Sequence, residues 1–161
     1  MLSSTQMAKN TVICRFKHCK HESKEILREE AVKVGNMYYH EDCARIKDNI
    51  ALTMELFEKH INPNPVFVQL RAVINHIIFE RNVDSDFLVF ALKYYIEKRI
   101  PLRYPQGLYY VVQNQEAKDA FDKKMAEKYK NIKIDITETN EVTFEHRPVK
   151  QKGFGDILGG A

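Results

Sequence analysis

Cys14, Cys19, His40 and Cys43 are the residues of this chain best suited to chemistry, and that chemistry is metal ligation. Their spacing reads C-x4-C-x20-H-x2-C: two close pairs separated by a longer stretch, as zinc fingers require. Three thiolates and one imidazole saturate tetrahedral zinc, so the expected site is structural and holds no position for a catalytic water. The chain has three cysteines, an odd number, which argues against a disulfide framework and for metal. His18 and His21 lie beside Cys19. They read as solvent-exposed neighbours, with replacement of a ligand or support of one as the alternative.

The elements that must position these ligands are legible nearby. Ala31–Val34 and Met37–His40 read as two short strands, and Gly35-Asn36 supplies residues that tolerate positive φ in a two-residue turn. From Glu41 the apolar positions Ile46, Ile50, Met54, Phe57 and Ile61 recur every three or four residues, predicting a helix whose first turn carries Cys43. A knuckle, a hairpin and a helix bearing the last ligand describe a treble clef. So small a segment has too little core to fold alone, and zinc would supply roughly 10 kcal/mol or more.

The stretch Tyr38-Tyr39-His40-Glu41-Asp42-Cys43 resembles the second half-site of LIM-type and poly-ADP-ribose-polymerase-type fingers, where an aromatic residue precedes H-x2-C. The first pair departs from the LIM pattern, which has two residues between its cysteines. Treble clefs bind DNA, RNA or protein, or act as scaffolds, so the resemblance implies a fold more than an activity.

Beyond the finger, Asn62-Pro63-Asn64-Pro65 breaks the chain, and Pro65 suits the first position of a helix to about Arg81, with Phe67, Leu70, Ile74, Ile77 and Ile78 as its apolar stripe. Asp84 or Ser85 can cap a third helix, Asp86 to Arg99, apolar on most sides and so expected at the centre. Leu108–Val112 reads as a strand or buried segment, and a fourth helix is expected over Gln115–Lys130. Ile132, Ile134 and Ile136, then Val142 and Phe144, alternate as a hairpin does.

Two helices joined at residues 82–85 and followed by an extended segment fit a helix-turn-helix with a wing. Lys93, Lys98, Arg99, Arg103 and Tyr104 form the candidate nucleic-acid surface, cations mixed with stackable rings that include Tyr94, Tyr95, Tyr109 and Tyr110. The plainer alternative makes the tyrosines half-buried core and the cations a solvated face. With 25 basic and 22 acidic residues, no global basic field steers the chain to nucleic acid, so contact must be local. Phe154, Ile157 and Leu158 stand among small residues at the C-terminus and could dock into a protein partner of polymerase or clamp type.

Neither a phosphate loop, nor a nucleophile elbow, nor a second metal motif is present, and His60 and His76 stand alone, so no enzymatic activity is expected. No apolar run of membrane-spanning length or signal-peptide core occurs, and the expected location is the cytoplasm. The expected fold is α+β: a treble-clef finger (1–61) packed on a mainly helical domain with small β-hairpins (62–146), without a flexible linker, and a C-terminal interaction tail (147–161). As a whole, the finger ligands and the stretch from Ala91-Leu92-Lys93-Tyr94-Tyr95 to Pro105-Gln106-Gly107-Leu108-Tyr109-Tyr110 resemble small zinc-finger proteins encoded by phages of Gram-positive bacteria. That likeness implies a role in phage nucleic-acid metabolism or host takeover, hence an accessory factor in replication or transcription. A protein-binding adaptor or inhibitor of a host machine is the alternative.

Overall fold

A computed structural model describes residues 10–131, and it is mixed α and β, as expected. Among the described residues the β-structure is confined to the N-terminal region, where strands are three residues long. Strand β1 (Thr11–Ile13) pairs antiparallel with β2 (Glu25–Leu27), placing Val12 opposite Ile26. Strand β3 (Val32–Val34) pairs with β4 (Met37–Tyr39) through the Gly35-Asn36 turn. Only Gly35 takes positive φ there, at 61°, the conformation that a residue without Cβ adopts freely.

Helix α1 (Glu41–His60) belongs to both halves of the molecule. Its first turn carries Cys43 and Ala44 into the small core of the hairpins, while Phe57, with Ile50 and Met54, packs into the helical body. Ile46 and Phe79 touch both cores, so the finger is seated directly on the body. Thr53, fully buried on α1, donates its hydroxyl to the Asn49 carbonyl at 2.7 Å, which satisfies a polar group that would otherwise be costly in the core.

The second helix differs from the sequence reading at its start and in the form of its last turn, though it ends where expected. Helix α2 spans Phe67–Asn75 and starts two residues after Pro65; a π-helical turn, His76–Glu80, then continues it. Phe67, expected in the buried stripe, is 47% exposed. The π turn inserts one extra residue per turn. Ile77 and Ile78 are both buried there, while Phe79 reaches the finger, where its ring stacks on His18 with centroids 4.0 Å apart and lies 5.9 Å from Phe16.

Helix α3 (Ser85–Glu97) is central, with Phe87, Leu88, Ala91, Leu92 and Tyr95 in the core. Of the two capping candidates the chain uses Asp84, whose carboxylate accepts from the Asp86 N–H at 2.7 Å. Replacing Asp84 by alanine should lower stability by about 1 kcal/mol while asparagine retains most of it, measured by urea denaturation. The helix ends with Arg99 in the left-handed region, φ 54°, and the Ile100 N–H returning to the Tyr95 carbonyl at 3.0 Å. This is a Schellman closure with arginine where glycine is usual.

Leu108–Val112 is not a strand. A 3₁₀ turn, Pro105–Gly107, leads into the single-turn helix α4 (Leu108–Val111). Leu108, Val111 and Val112 are buried while Tyr110 points outward, a spacing of three and four that an unbroken apolar run conceals. Residues 100–112 therefore form no wing, and the winged helix-turn-helix expectation fails in this region. Helix α5 (Gln115–Asn131) completes the body, Phe121 packing against Phe87 and Phe90. Among the described residues no helix is long and apolar enough to cross a membrane. The hairpin expected within 132–144 and the tail residues Phe154, Ile157 and Leu158 lie outside the described residues.

Candidate metal centre

Each ligand occupies a position that the local backbone holds firmly. Cys14 follows β1 directly and bridges the two hairpins: its N–H donates to the Lys24 carbonyl at 2.7 Å, and the next N–H, of Arg15, donates to the Tyr38 carbonyl at 3.0 Å. Cys19 comes at the end of a tight turn closed by its own N–H on the Phe16 carbonyl, 3.3 Å. His40 leaves β4 in an extended conformation and is the residue preceding α1, so Cys43 follows within the first helical turn.

These placements converge. The Cys14, Cys19 and Cys43 sulfurs and a ring nitrogen of His40 all lie within 4.8 Å of one another. The Cys19 Sγ to His40 Nδ1 distance is 3.5 Å and that from Cys43 Sγ is 3.9 Å. Tetrahedral zinc with bonds of about 2.3 Å to sulfur and about 2.0 Å to nitrogen requires nitrogen-to-sulfur edges near ~3.6 Å, so the cluster fits such an ion. Cys14 and Cys43 are buried and Cys19 and His40 partly so.

The electrostatics also suit a cation. Burial opposes ionisation of Cys14, but the backbone N–H groups of His40 and Phe16, followed by the Cys43 and Cys19 side chains, outweigh it and hold the thiol below its usual range. At Cys43 burial acts first, reinforced by hydrogen bonding and charge from Cys19 and Cys14, and its thiol is pushed far up. Burial, then the neighbouring His21, lowers His40, against the pull of Asp42, which favours the neutral imidazole that binds metal. Three sulfurs so close compete for ionisation, and a divalent cation removes that conflict.

The two flanking histidines have different roles. His21 stacks on the His40 ring, centroids 3.7 Å apart, and its Nε2 contacts both Asp42 carboxylate oxygens at 2.9 and 3.0 Å. A second grouping of His21, Asp42 and Cys43 is therefore close enough to share an ion, but His21 and Asp42 are exposed and already paired with each other, and the tetrad offers the softer donors. His21 thus stacks on His40 from outside the tetrad. His18 is not simply solvent-exposed: it is half-buried on Phe79, at the junction between finger and body.

The five residues expected at a nucleic-acid surface do not form one patch. Arg103 and Tyr104 line a groove with Tyr110, whereas Arg99 lines the adjoining depression with His60. Lys93 and Lys98 line neither. The Lys98 ammonium sits over the Tyr94 ring at 5.6 Å, and the Tyr94 hydroxyl donates to Glu116 at 3.1 Å. Tyr94 and Tyr95 pack into the body with Tyr109, whose hydroxyl meets His76 Nδ1 at 3.2 Å. The plainer reading thus holds for three of the tyrosines, while Tyr104 and Tyr110 remain exposed.

No family model, curated protein or solved structure matches the chain.

Proposed function

We propose that this chain is a non-enzymatic zinc-binding accessory factor of DNA replication or transcription, built on a treble-clef finger, that contacts nucleic acid and recruits a polymerase- or clamp-type partner. The observation that carries the reading is the closed Cys14–Cys19–His40–Cys43 tetrad at the head of a helix shared with the body. Four protein donors fill a tetrahedral ion's coordination, so the metal's contribution is to folding and not to substrate activation. Knuckle, β3–β4 hairpin and the first turn of α1 supply the ligands in treble-clef order.

Binding function then falls to the surface. Arg103 with exposed Tyr104, and Arg99 in the adjoining depression, support nucleic-acid contact, and the apolar residues Phe154, Ile157 and Leu158 are assigned to the protein partner. The likeness of the finger and the tyrosine-rich stretch to small phage-encoded proteins supports a phage setting in the host cytoplasm. One observation favours the second reading, a protein-binding adaptor or inhibitor without nucleic-acid contact: Val66, Phe67 and Val68 at the start of α2 are 64%, 47% and 83% exposed, three adjacent apolar side chains that a partner could cover.

Salt separates the two readings. Measured by fluorescence anisotropy with labelled DNA and RNA, affinity should fall steeply as salt rises, linearly on a double-logarithmic plot. Absence of binding to either at low salt would leave the adaptor reading.

A further inference from the structure

The groove between the end of α3 and α4 combines features that the metal centre does not explain. Its walls are the segment Ile100–Tyr104 and the outward face of α4, and its volume is about 490 Å³, the size of a small-molecule site. Tyr104 and Tyr110 line it while remaining 70% and 71% exposed. Their exposure follows from the fold. Burial of Leu108, Val111 and Val112 turns Tyr110 outward, and Tyr104 precedes Pro105, whose own ring is buried in the 3₁₀ turn.

The two walls are held against each other. A Cβ placed on Gly107 would lie 2.6 Å from Leu102 Cδ1, so the turn under one wall sits directly on the segment that forms the other. The rings are thus presented by packed backbone, which lowers the ordering cost of binding. Among the described residues, Arg103 is the sole charged residue lining the groove, and no carboxylate does. Two exposed π-faces with one cation and no anion match a base with its phosphate better than they match an acidic or aliphatic peptide.

The geometry points to this groove as a binding site for single-stranded DNA, in which an unpaired base stacks on Tyr104 or Tyr110 and the adjacent phosphate pairs with Arg103. The inference deepens the nucleic-acid reading given above and rests on it. A duplex keeps its bases stacked on one another and offers no free face to the rings. The choice of DNA over RNA follows the DNA replication reading on which the inference rests, and the oligouridylate arm of the test decides it.

The test uses full-length protein loaded with zinc, a labelled oligothymidylate, an oligouridylate and a DNA duplex of equal length, and the variants Tyr104→Leu, Tyr110→Leu, Arg103→Ala and the two Tyr→Phe forms. Wild type should bind the oligothymidylate tightest. Leucine at the ring that stacks should cost about tenfold in affinity while phenylalanine there retains it, since stacking needs the ring and not the hydroxyl. Arg103→Ala should reduce the salt slope by about one. Photocrosslinking followed by mass spectrometry should map the contact to Tyr104 or Tyr110. Thermal melts of the variants should match wild type, because both rings are exposed. Unchanged affinity of both leucine variants, or preference for duplex or RNA, overturns the groove assignment and leaves general nucleic-acid binding standing. No binding by wild type to any of the three at low salt overturns both. Self-association abolished by Tyr110→Leu, with DNA affinity unchanged, would make the groove a contact between copies and overturn it as well.

Discussion

Cys43→Ser is expected to abolish stoichiometric zinc binding and to unfold the N-terminal region through α1. The physical case rests on where Cys43 sits. It is the ligand carried by α1, whose first turn belongs to the finger and whose later turns belong to the body. The finger core comprises only Cys14, Phe16, Ile26, Tyr39, Cys43 and Ala44, and two of these six are ligands. Such a core cannot offset the backbone entropy of its loops, whereas structural zinc contributes roughly 10–16 kcal/mol in finger peptides. Chelation of the wild-type protein should produce the same state. Amide NMR should show collapse of the signals of residues 11–40 and broadening along the first turns of α1. Cobalt substitution provides an independent check, because a tetrahedral site with three thiolates absorbs strongly in the visible. Retention of one tightly bound equivalent by Cys43→Ser, with an unchanged spectrum, would refute the tetrad. A control at His21 separates ligand from neighbour: His21→Ala should weaken metal binding without abolishing it, because it removes the ring stacked on His40 and none of the four donors.

Phe57→Ala attacks the same helix from its other end and should have a different signature. Phe57 is fully buried where α1 meets the body, and truncating a buried phenylalanine removes transfer energy and leaves a cavity, at a cost of about 3–5 kcal/mol. That is a large share of the roughly 5–15 kcal/mol by which domains of this size are stable. Urea denaturation should show a midpoint lowered in proportion, with one zinc still bound in the folded state. A variant that loses the metal while its helical content is intact would show the finger depending on Phe57 directly, against the separate cores described here. Cys43→Ser thus removes the ion and loosens the helix head, whereas Phe57→Ala keeps the ion and weakens the whole. The contrast tests the claim that α1 couples two cores.

The parts legible in the sequence were those governed by short spacing. The Cys14, Cys19, His40 and Cys43 cluster was legible because each pair is close along the chain and zinc accepts few donor sets. Helix α1 was readable because five apolar residues repeat at helical intervals, and α3 because an acidic cap precedes a nearly continuous apolar run. The β3–β4 hairpin was readable from Gly35. The β1–β2 pair was not, since each strand contributes one inward residue, Val12 and Ile26, too weak an alternation to register.

Errors came where packing chose between conformations that local pattern allows equally. Five consecutive apolar residues from Leu108 satisfy strand and buried helix alike, and Pro105 together with the fit of Gly107 onto Leu102 selects the helix. The π turn at His76–Glu80 has no sequence signature; it exists because Phe79 must reach His18 and Phe16 while Ile77 and Ile78 stay in the body. Distance along the chain also misled the grouping of cations. Lys93 and Lys98 are near Arg103 in sequence, yet neither lines its groove.

By itself, then, the sequence determined which Cys and His residues come together as a candidate metal site, the positions of the long helices and the mixed α and β character, since these depend on donor chemistry and on apolar periods within one element. Tertiary structure alone decided that the finger is seated on the body through His18 and Phe79, that His21 stacks on His40 while its Nε2 contacts Asp42, and that Tyr104 and Tyr110 stay outside while Tyr94, Tyr95 and Tyr109 pack inward. The reason is physical: whether a ring or a histidine is buried depends on which surfaces meet, and those surfaces come from elements separated by dozens of residues.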